Sequence, residues 1–373
     1  MQCGSTSIPA PATMRAWQLS GLGGAFELVR RPVPVPRAGG VVVRMQASAL
    51  MSYMRDYVEG KLTSVYRVPA QPFVPGANGV GIVEAVGEGV WHLRPGQRVV
   101  ISSHLVAQEN VREPGQMLLG VTAPGEAARR MQHDWPDGTM ADFASLPASV
   151  VTPADGLDHL DATQLVMTTR HIVPYGGLLR GRLAPGETVV VSGATGAYGS
   201  AAVFLALALG ASRVVALGRD RVRLAAVCEA AGPRAEPLVM QGDAIADAAR
   251  VREMLSGGAD LAFDMVGGAA DSTSTLTALR CLADGGRLVL MGSMSVPLPL
   301  PYLEVMLHGW EILGQFMYPR DAYRRLLDLV RSGQLDVAQI RPLAFPLDQA
   351  RAAMAAAHDA HGLECVVLRH GED

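Results

Sequence analysis

Residues Val189–Gly199 read VVVSGATGAYG, and Val214–Arg223 read VVALGRDRVR. Val189–Val191 is a short continuous apolar run, the mark of a strand buried on both faces. The turn Ala194-x-Gly196-x-x-Gly199 then opens a long apolar helix over Ser200–Leu209, closed by Gly210. Strand, glycine turn and helix in that order are the context that makes a glycine pattern a dinucleotide-binding fingerprint. Gly196 lets the backbone approach a pyrophosphate, Gly199 lets helix pack on strand, and the helix N-terminus offers N–H groups to phosphate. The backbone of Ala197 and Tyr198 belongs to this turn, and the Tyr198 side chain is placed to cover the pyrophosphate. A second strand, Arg213–Leu217, ends where an acidic residue grips the ribose hydroxyls of NAD. Here that position is Gly218, followed by Arg219. With no carboxylate at that position to repel a 2′-phosphate and a guanidinium able to pair with one, the expected cofactor is NADPH. Arg223, four residues on and on the same helix face, is the second candidate contact. The competing reading makes both arginines solvated residues of a helix start.

Outward from this core, the chain's 373 residues exceed one ordinary core, so two domains are expected. Apolar residues make up 49% and the net charge is −3, which argues against disorder and against sequence-independent nucleic-acid binding. Cys3, Cys228, Cys281 and Cys365 are scattered, with no C-x-x-C pair. That fits a reduced, cytoplasmic setting. No membrane-spanning run stands out, since the longest candidate, Ala201–Leu209, is short. The opening MQCGSTSIPAPAT lacks the pattern of a signal peptide and reads as a flexible polar tail before Met14.

From Met14 to about Asp161 the chain is strand- and turn-rich. MRAWQL, GVVVRMQAS, GVGIVEAVG and QRVVISS sit between Pro and Gly turns and predict a partly antiparallel, barrel-like domain. Val106–Asp134 lacks a strong period and reads as a long excursion. From Ala162 to Pro319 strands alternate with helices. Strands are expected at Thr188–Ser192, Arg213–Leu217, Pro237–Met240, Leu261–Val266 and Arg287–Met291, with Trp310–Phe316 as a sixth. Helices are expected near Tyr198–Leu209, Asp220–Ala231, Ile245–Leu255 and Ser272–Leu282, forming a doubly wound parallel sheet. Two further helices, Asp321–Ser332 and Leu347–Ala360, precede a last strand, CVVLRH, that returns to the first domain. The expected division is 1–161 with 320–373 for the barrel-like domain and 162–319 for the dinucleotide-binding domain.

This order of elements resembles the medium-chain dehydrogenase/reductase superfamily, most closely its zinc-free, quinone-oxidoreductase-like branch. The resemblance runs from Met14 to near the end. It rests on PFVPGANGVGIVEAVGEGVWHLRPGQRVV, DGTMADFASLPASVV, LAPGETVVVSGATGAYGSAAV, DMVGG and GGRLVLMGS. It implies an α/β fold: a Rossmann domain plus a GroES-like catalytic domain, with the substrate cleft between them. Where zinc-dependent relatives carry a cysteine, a Gly-His-Glu motif and a second cysteine, this chain has Met51, Gly76-Ala77-Asn78 and, near the third position, Thr168. Thioether, methyl and hydroxyl groups do not make a zinc site, so no metal is expected. The four-cysteine structural lobe is missing too.

By the same resemblance Tyr53, two residues after the lost first ligand, takes the place of the relay hydroxyl. Tyr66 stands near the position of the tyrosine that protonates product enolates in enoyl reductases, with looser spacing; Tyr57 is a weaker third. The competing readings are a wall of the cleft for Tyr53 and an ordinary loop residue for Tyr66. Gly292 and Ser293, at the end of the fifth strand, fall beside the nicotinamide. Tyr53, Met54, Tyr57, Met167, Phe316 and Met317 are the expected cleft lining, suited to a small apolar carbonyl-containing substrate. Asp264 reads as a strand-end cap. His104, His133 and His171 are isolated and lack ligand spacing. In the family that Met291–Phe316 resembles, the matching strand pairs across a two-fold axis, so the resemblance implies a homodimer; the competing reading is an apolar loop packed within one chain. No nucleic acid or membrane partner is expected.

Three functions stay open at this stage. The leading one is zinc-independent, NADPH-dependent reduction of a conjugated C=C in an enone, quinone or similar compound. The second is ketone or aldehyde reduction. The third is a non-catalytic NADPH-binding sensor.

Overall fold

Alternating and continuous apolar runs sort the chain into two units, which the computed structural model describes over residues 12–107 and 110–371. The N-terminal tail read from the sequence lies outside the described residues up to position 11. The first unit holds the chain up to Val166, together with Ala344–Asp359 and the stretch from Val366 onward. The second holds Met167–Leu343 and Ala360–Cys365. Segment 320–343, expected in the barrel-like domain, therefore belongs to the second unit. The reason is packing: helix Ala322–Arg331 lies on helix Thr168–Arg180.

The first unit is built on a seven-stranded sheet. Its order runs Arg341–Pro346, Glu364–Arg369, Gly40–Ala49, Gly79–Val86, Arg98–Ile101, Val151–Pro153, with Phe143–Pro147 also pairing Gly40–Ala49. Pairing to Gly40–Ala49 is antiparallel on every registered edge. Successive side chains point to opposite faces of a strand, so Val41, Val43 and Met45 enter one core with Val83, Val99 and Ile101. A two-stranded sheet, Thr13–Leu19 with Phe26–Pro32, is fastened by Trp17, which stacks on Phe26 at 4.5 Å and donates Nε1 to the Leu347 carbonyl at 2.6 Å. The expected long excursion without a strong period holds a strand pair, His104–Ala107 with Gly115–Leu118, and a helix, Gly125–Asp134. Four-residue strands are too short to show a period. Gly115 lies against this helix, where a Cβ would stand 2.9 Å from Met131 Sδ and 3.2 Å from Ala127 Cβ.

The second unit is a six-stranded, wholly parallel sheet. Its spatial order is Ala235–Val239, Arg213–Gly218, Thr188–Ser192, Ala259–Asp264, Leu282–Leu290 and Glu311–Gly314. That is the doubly wound arrangement, with ligand sites at the carboxyl ends of the strands where the order reverses. Val189, Val190 and Val191 are fully buried, as strands covered on both faces must be. The strand expected to start at Arg287 starts at Leu282, where Ala283-Asp284-Gly285 disguise its beginning.

Helix Thr168–Arg180 was not legible in the sequence, because Pro174 and Gly176-Gly177 read as breakers. The glycines exist for close approach. A Cβ at Gly177 would lie 2.3 Å from Met291 Sδ and Phe263 Cε2, and one at Gly176 would lie 2.3 Å from the Met317 carbonyl oxygen. Among the described residues no helix is long and apolar enough to cross a membrane. Cys228, Cys281 and Cys365 are buried free thiols. Burial pushes the Cys228 and Cys281 thiols up, to about 11 and about 12.

His171 lies in helix Thr168–Arg180, fully buried, and its Nδ1 hydrogen-bonds to the Met167 carbonyl at 3.0 Å. Burial drives its pKa down from 6.5 to about 4. The unfolded chain binds a proton here below pH 6.5 and the folded one does not until about pH 4. Stability from this group is complete above pH 6.5 and is lost as pH falls toward 4. Urea unfolding at pH 7, 6 and 5 is expected to show His171→Phe losing less stability on acidification than the parent, by roughly 1.4 kcal/mol per pH unit. Equal slopes would show that the fold does not exclude this proton.

Candidate cofactor and active site

The strand Thr188–Ser192 ends in a turn whose shape is set by one carbonyl. Gly193 adopts φ +78°, and its oxygen accepts the Gly196 N–H at 3.0 Å. A Cβ on Gly199 would lie 2.0 Å from that same oxygen. No side chain fits there, so helix Ala197–Ala208 starts hard against the strand. Gly196, by contrast, is exposed and extended, with a Cβ clearance of 3.3 Å. Its bare backbone leads into the first turn of helix Ala197–Ala208. Ala194 is fully buried and donates its N–H to the Leu217 carbonyl at 3.0 Å, so it is framework for the turn. Gly193 was missed in the sequence reading, although a glycine directly after the strand is its signal.

A distant segment fastens this turn from outside. The Gly362 N–H reaches the Thr195 carbonyl at 3.2 Å, and Ser200 Oγ donates to the Gly362 carbonyl at 2.6 Å. A Cβ on Gly362 would meet Thr195 O at 2.8 Å. Three residues on, Cys365 Sγ accepts the Nε–H of Arg170 at 3.2 Å, and the Arg170 guanidinium carbon stands 5.8 Å from the Tyr198 ring centre. Neither Arg170 nor Gly362 was singled out from sequence.

At the end of the second strand Gly218 is buried, and a Cβ there would crowd Thr195 Cγ2 at 3.1 Å and Leu224 Cδ1 at 3.2 Å. Arg219 is exposed at the strand end. Asp220 caps the following helix, accepting from the Val222 and Arg223 amides at 3.0 and 3.1 Å, and pairs with Arg223 Nε at 3.2 Å. Those amides, led by Arg223's, and then the Arg223 and His361 charges, hold the Asp220 carboxyl below its usual range. Of the two arginines expected at one phosphate, Arg223 pairs with a carboxylate three residues back, and the charge of Arg219 acts on Asp271.

Gly292 follows the fifth strand, where a Cβ would lie 2.0 Å from Val266 O. Its N–H and that of Met291 both donate to the Asp264 carbonyl, at 3.0 and 3.1 Å. The Asp264 carboxylate accepts from Thr275 Oγ1 at 2.6 Å and from the Val266 amide at 3.0 Å. Burial raises its pKa, and the hydrogen bonds oppose that rise. It is a strand-end cap. Ser293 is exposed beside it.

In the first unit three tyrosines meet. Tyr53 is the residue before helix Met54–Val58 and is half-buried. Its ring stacks on Tyr66 at 5.8 Å, and Tyr57 meets Tyr66 edge-on at 5.4 Å. The two rival proton donors are therefore neighbours in one cluster. Tyr57 is fully buried, its hydroxyl donates to the Val121 carbonyl at 2.7 Å, and burial pushes its pKa up. It is a core residue, which corrects its place among the candidates. Met54 and Met167 are likewise buried side chains, while Phe316 is exposed and Met317 takes φ +53°.

The positions corresponding to zinc ligands offer no matching donors. Met51 and Ala77 are buried, Asn78 Oδ1 accepts the Ala49 amide at 3.2 Å, and Thr168 is buried. Among the described residues no three His, Cys, Asp or Glu side chains converge. These residues do not fit a zinc ion, which needs several Cys, His or carboxylate ligands.

Residues 37–156 match the family model of the alcohol dehydrogenase GroES-like domain, and residues 197–332 match that of the zinc-binding dehydrogenase. The second matched stretch contains none of the four positions just described. An alcohol dehydrogenase from Moraxella sp. is 28% identical over 323 residues, covering 86% of this chain and 90% of its own. Among solved structures, one described as NAD-dependent alcohol dehydrogenase is 26% identical, with TM-score 0.78 and coverage of 96% of this chain and 100% of that one. The structure of AibC gives TM-score 0.80 at 23% identity, covering 97% of each chain, a likeness of fold.

Proposed function

The chain belongs to the medium-chain dehydrogenase/reductase superfamily, whose members are oxidoreductases, and within it we propose a zinc-independent, NADPH-dependent reductase of conjugated carbonyl compounds. The observation that carries this reading is the donor set at Met51, Ala77, Asn78 and Thr168. Without a Lewis acid at the substrate oxygen, oxidation of an unactivated alcohol loses its main assistance. Reduction of an electron-poor C=C needs less: a positioned hydride donor and a hydrogen bond to the oxygen that gains charge. NADPH, when bound, supplies the hydride. The amides of Ala197, Tyr198 and Gly199 hold its diphosphate, Arg219 its 2′-phosphate, and the backbone at Gly292 and Ser293 the nicotinamide side. The Tyr53 hydroxyl donates to the carbonyl oxygen or to the carbanion, with Tyr66 stacked behind it. A phenol of ordinary pKa near 10 is protonated at neutral pH and serves as a donor without tuning. The second reading, reduction of a ketone or aldehyde, is favoured by the similarity to proteins named alcohol dehydrogenases.

A second copy of the chain is the partner this reading takes. Strand Glu311–Gly314 is an edge of the six-stranded sheet. Helix Tyr302–His308 buries none of its residues; Tyr302, Leu303, Met306 and Leu307 are 80, 62, 55 and 67% exposed. An open edge beside an apolar helix face supports sheet extension across a two-fold axis.

Three measurements test the reading. Fluorescence titration is expected to show NADPH binding more tightly than NADH, with Arg219→Ala weakening NADPH about ten- to a hundredfold and sparing NADH. Tighter NADH binding by the parent would sink the cofactor assignment. Chelator-treated protein is expected to turn over an enone to the saturated carbonyl. Tyr53→Phe, which keeps the stacked ring, is expected to lower that turnover by about a hundredfold, while Tyr66→Phe keeps it. Alcohol as the product favours the second reading, and full turnover by Tyr53→Phe makes Tyr53 a wall. Light scattering at micromolar concentration is expected to give twice the 39.3 kDa chain mass; a monomer alone would reject the dimer.

A further inference from the structure

Arg15 and Arg30 stand directly opposite each other on the paired strands Thr13–Leu19 and Phe26–Pro32. Like charges facing across a strand pair destabilise it. Both side chains line a cavity of about 880 Å³ whose lining residues all belong to the first unit. With Arg44 and Arg369, four of those side chains are guanidinia; two, Asp142 and Asp161, are carboxylates. Each carboxylate has close partners of its own. Asp142 accepts from Arg15 Nη2 and Nε at 2.9 and 3.2 Å. Asp161 Oδ1 accepts from the Gln164 amide at 2.9 Å and from Thr163 Oγ1 at 2.7 Å. Arg44 Nε reaches Glu84 Oε2 at 3.4 Å, at the outer limit of a hydrogen bond.

The same cavity holds an unmet acceptor. Strand Gly40–Ala49 shifts register against Gly79–Val86 between Met45 and Ala47, so Gln46 is an inserted residue. Such an insertion re-aims a side chain, and that of Gln46 lines the cavity. Its Oε1 is buried and meets no hydrogen-bond partner among the described residues. A buried acceptor without a donor is costly. His370, which also lines the cavity, does not supply that donor, since its ring nitrogens bond to the Ala141 carbonyl and Ser48 Oγ, both at 2.9 Å.

We propose that this cavity is a ligand site for a phosphomonoester of a small polyol. At neutral pH such a phosphate carries nearly two negative charges. It lies between Arg15 and Arg30, where it relieves the opposition of the two guanidinia and its oxygens match their forked N–H groups. A hydroxyl of the same molecule donates to Gln46 Oε1. The site is separate from the glycine turn, which belongs to the second unit.

Glycerol 3-phosphate, inorganic phosphate and glycerol are titrated by calorimetry into the parent chain, Arg30→Met, Gln46→Met and Arg219→Ala. The parent is expected to bind glycerol 3-phosphate about fivefold more tightly than inorganic phosphate, and glycerol not at all. Arg30→Met is expected to weaken both phosphates about tenfold or more and, by removing the opposed charge, to keep or raise the ligand-free melting temperature. Gln46→Met is expected to abolish the preference for glycerol 3-phosphate while leaving inorganic phosphate within about twofold. Arg219→Ala, in the second unit, is expected to change neither. In the parent, glycerol 3-phosphate is also expected to slow phenylglyoxal modification of Arg30, mapped by mass spectrometry, and to leave Arg219 unprotected; this readout needs no variant to fold. Failure of the parent to bind glycerol 3-phosphate overturns the proposal. So does unchanged affinity in Arg30→Met, or equal affinity of the parent for the two phosphates. An equal loss in Arg219→Ala overturns it too, by placing the phosphate in the second unit.

Discussion

The carbonyl oxygen of Gly193 constrains much of the second unit. It receives the Gly196 N–H, and it leaves no room for a side chain on Gly199, whose Cβ would stand 2.0 Å away. The distance between strand Thr188–Ser192 and helix Ala197–Ala208 follows from that contact. So does the direction of the helix's first amides. An apolar, small-residue helix then lies flat on the sheet, with Ala201, Ala202, Val203, Leu205 and Ala206 fully buried. The turn is also held from outside by Gly362, a residue far along the chain that must itself be glycine-small to reach Thr195 O. A turn fixed on both sides is pre-organised, and a pre-organised turn reorganises little when anything binds to it.

Charge around this turn is arranged by pairing. Asp220 is drawn to its own helix N-terminus and to Arg223, so the first carboxylate after the strand faces the helix. Gly218 ends the strand, and the exposed Arg219 follows it. Arg170 donates its Nε–H to Cys365 Sγ, and its guanidinium lies over the Tyr198 ring. In the first unit the hydroxyls are sorted in the same way. Tyr57 is committed to the Val121 carbonyl, while its ring braces Tyr66, and Tyr66 in turn backs Tyr53. Edge-on and offset ring contacts of this kind fix orientation as well as burying area.

The relatives carry names that imply alcohol chemistry, and one matched family model is named for zinc. The residues of this chain pull the other way at the positions where a metal is bound in zinc-dependent relatives. A fold tolerates many chemistries on one scaffold. The scaffold here is that of an oxidoreductase superfamily.

The sequence by itself determined the two-unit α/β architecture and the place of the glycine turn. Parallel strands covered on both faces are written as continuous runs such as Val189–Val191, and turn glycines follow them at fixed offsets, so both signals are local. Residue identity at Met51, Ala77, Asn78 and Thr168 is read without geometry too, while their correspondence to zinc-ligand positions comes from the family resemblance. What the sequence left hidden is non-local. Pro174 and Gly176-Gly177 read as breakers, yet they lie within one helix, and the glycines serve contacts with Phe263, Met291 and Met317. Short paired strands between His104 and Leu118 carry too few residues to show a period. The pairing of Asp220 with Arg223 shows only once the helix cap is formed. Arg170 and Cys365 are 195 residues apart, and only tertiary packing brings that guanidinium and that sulfur beside the glycine turn.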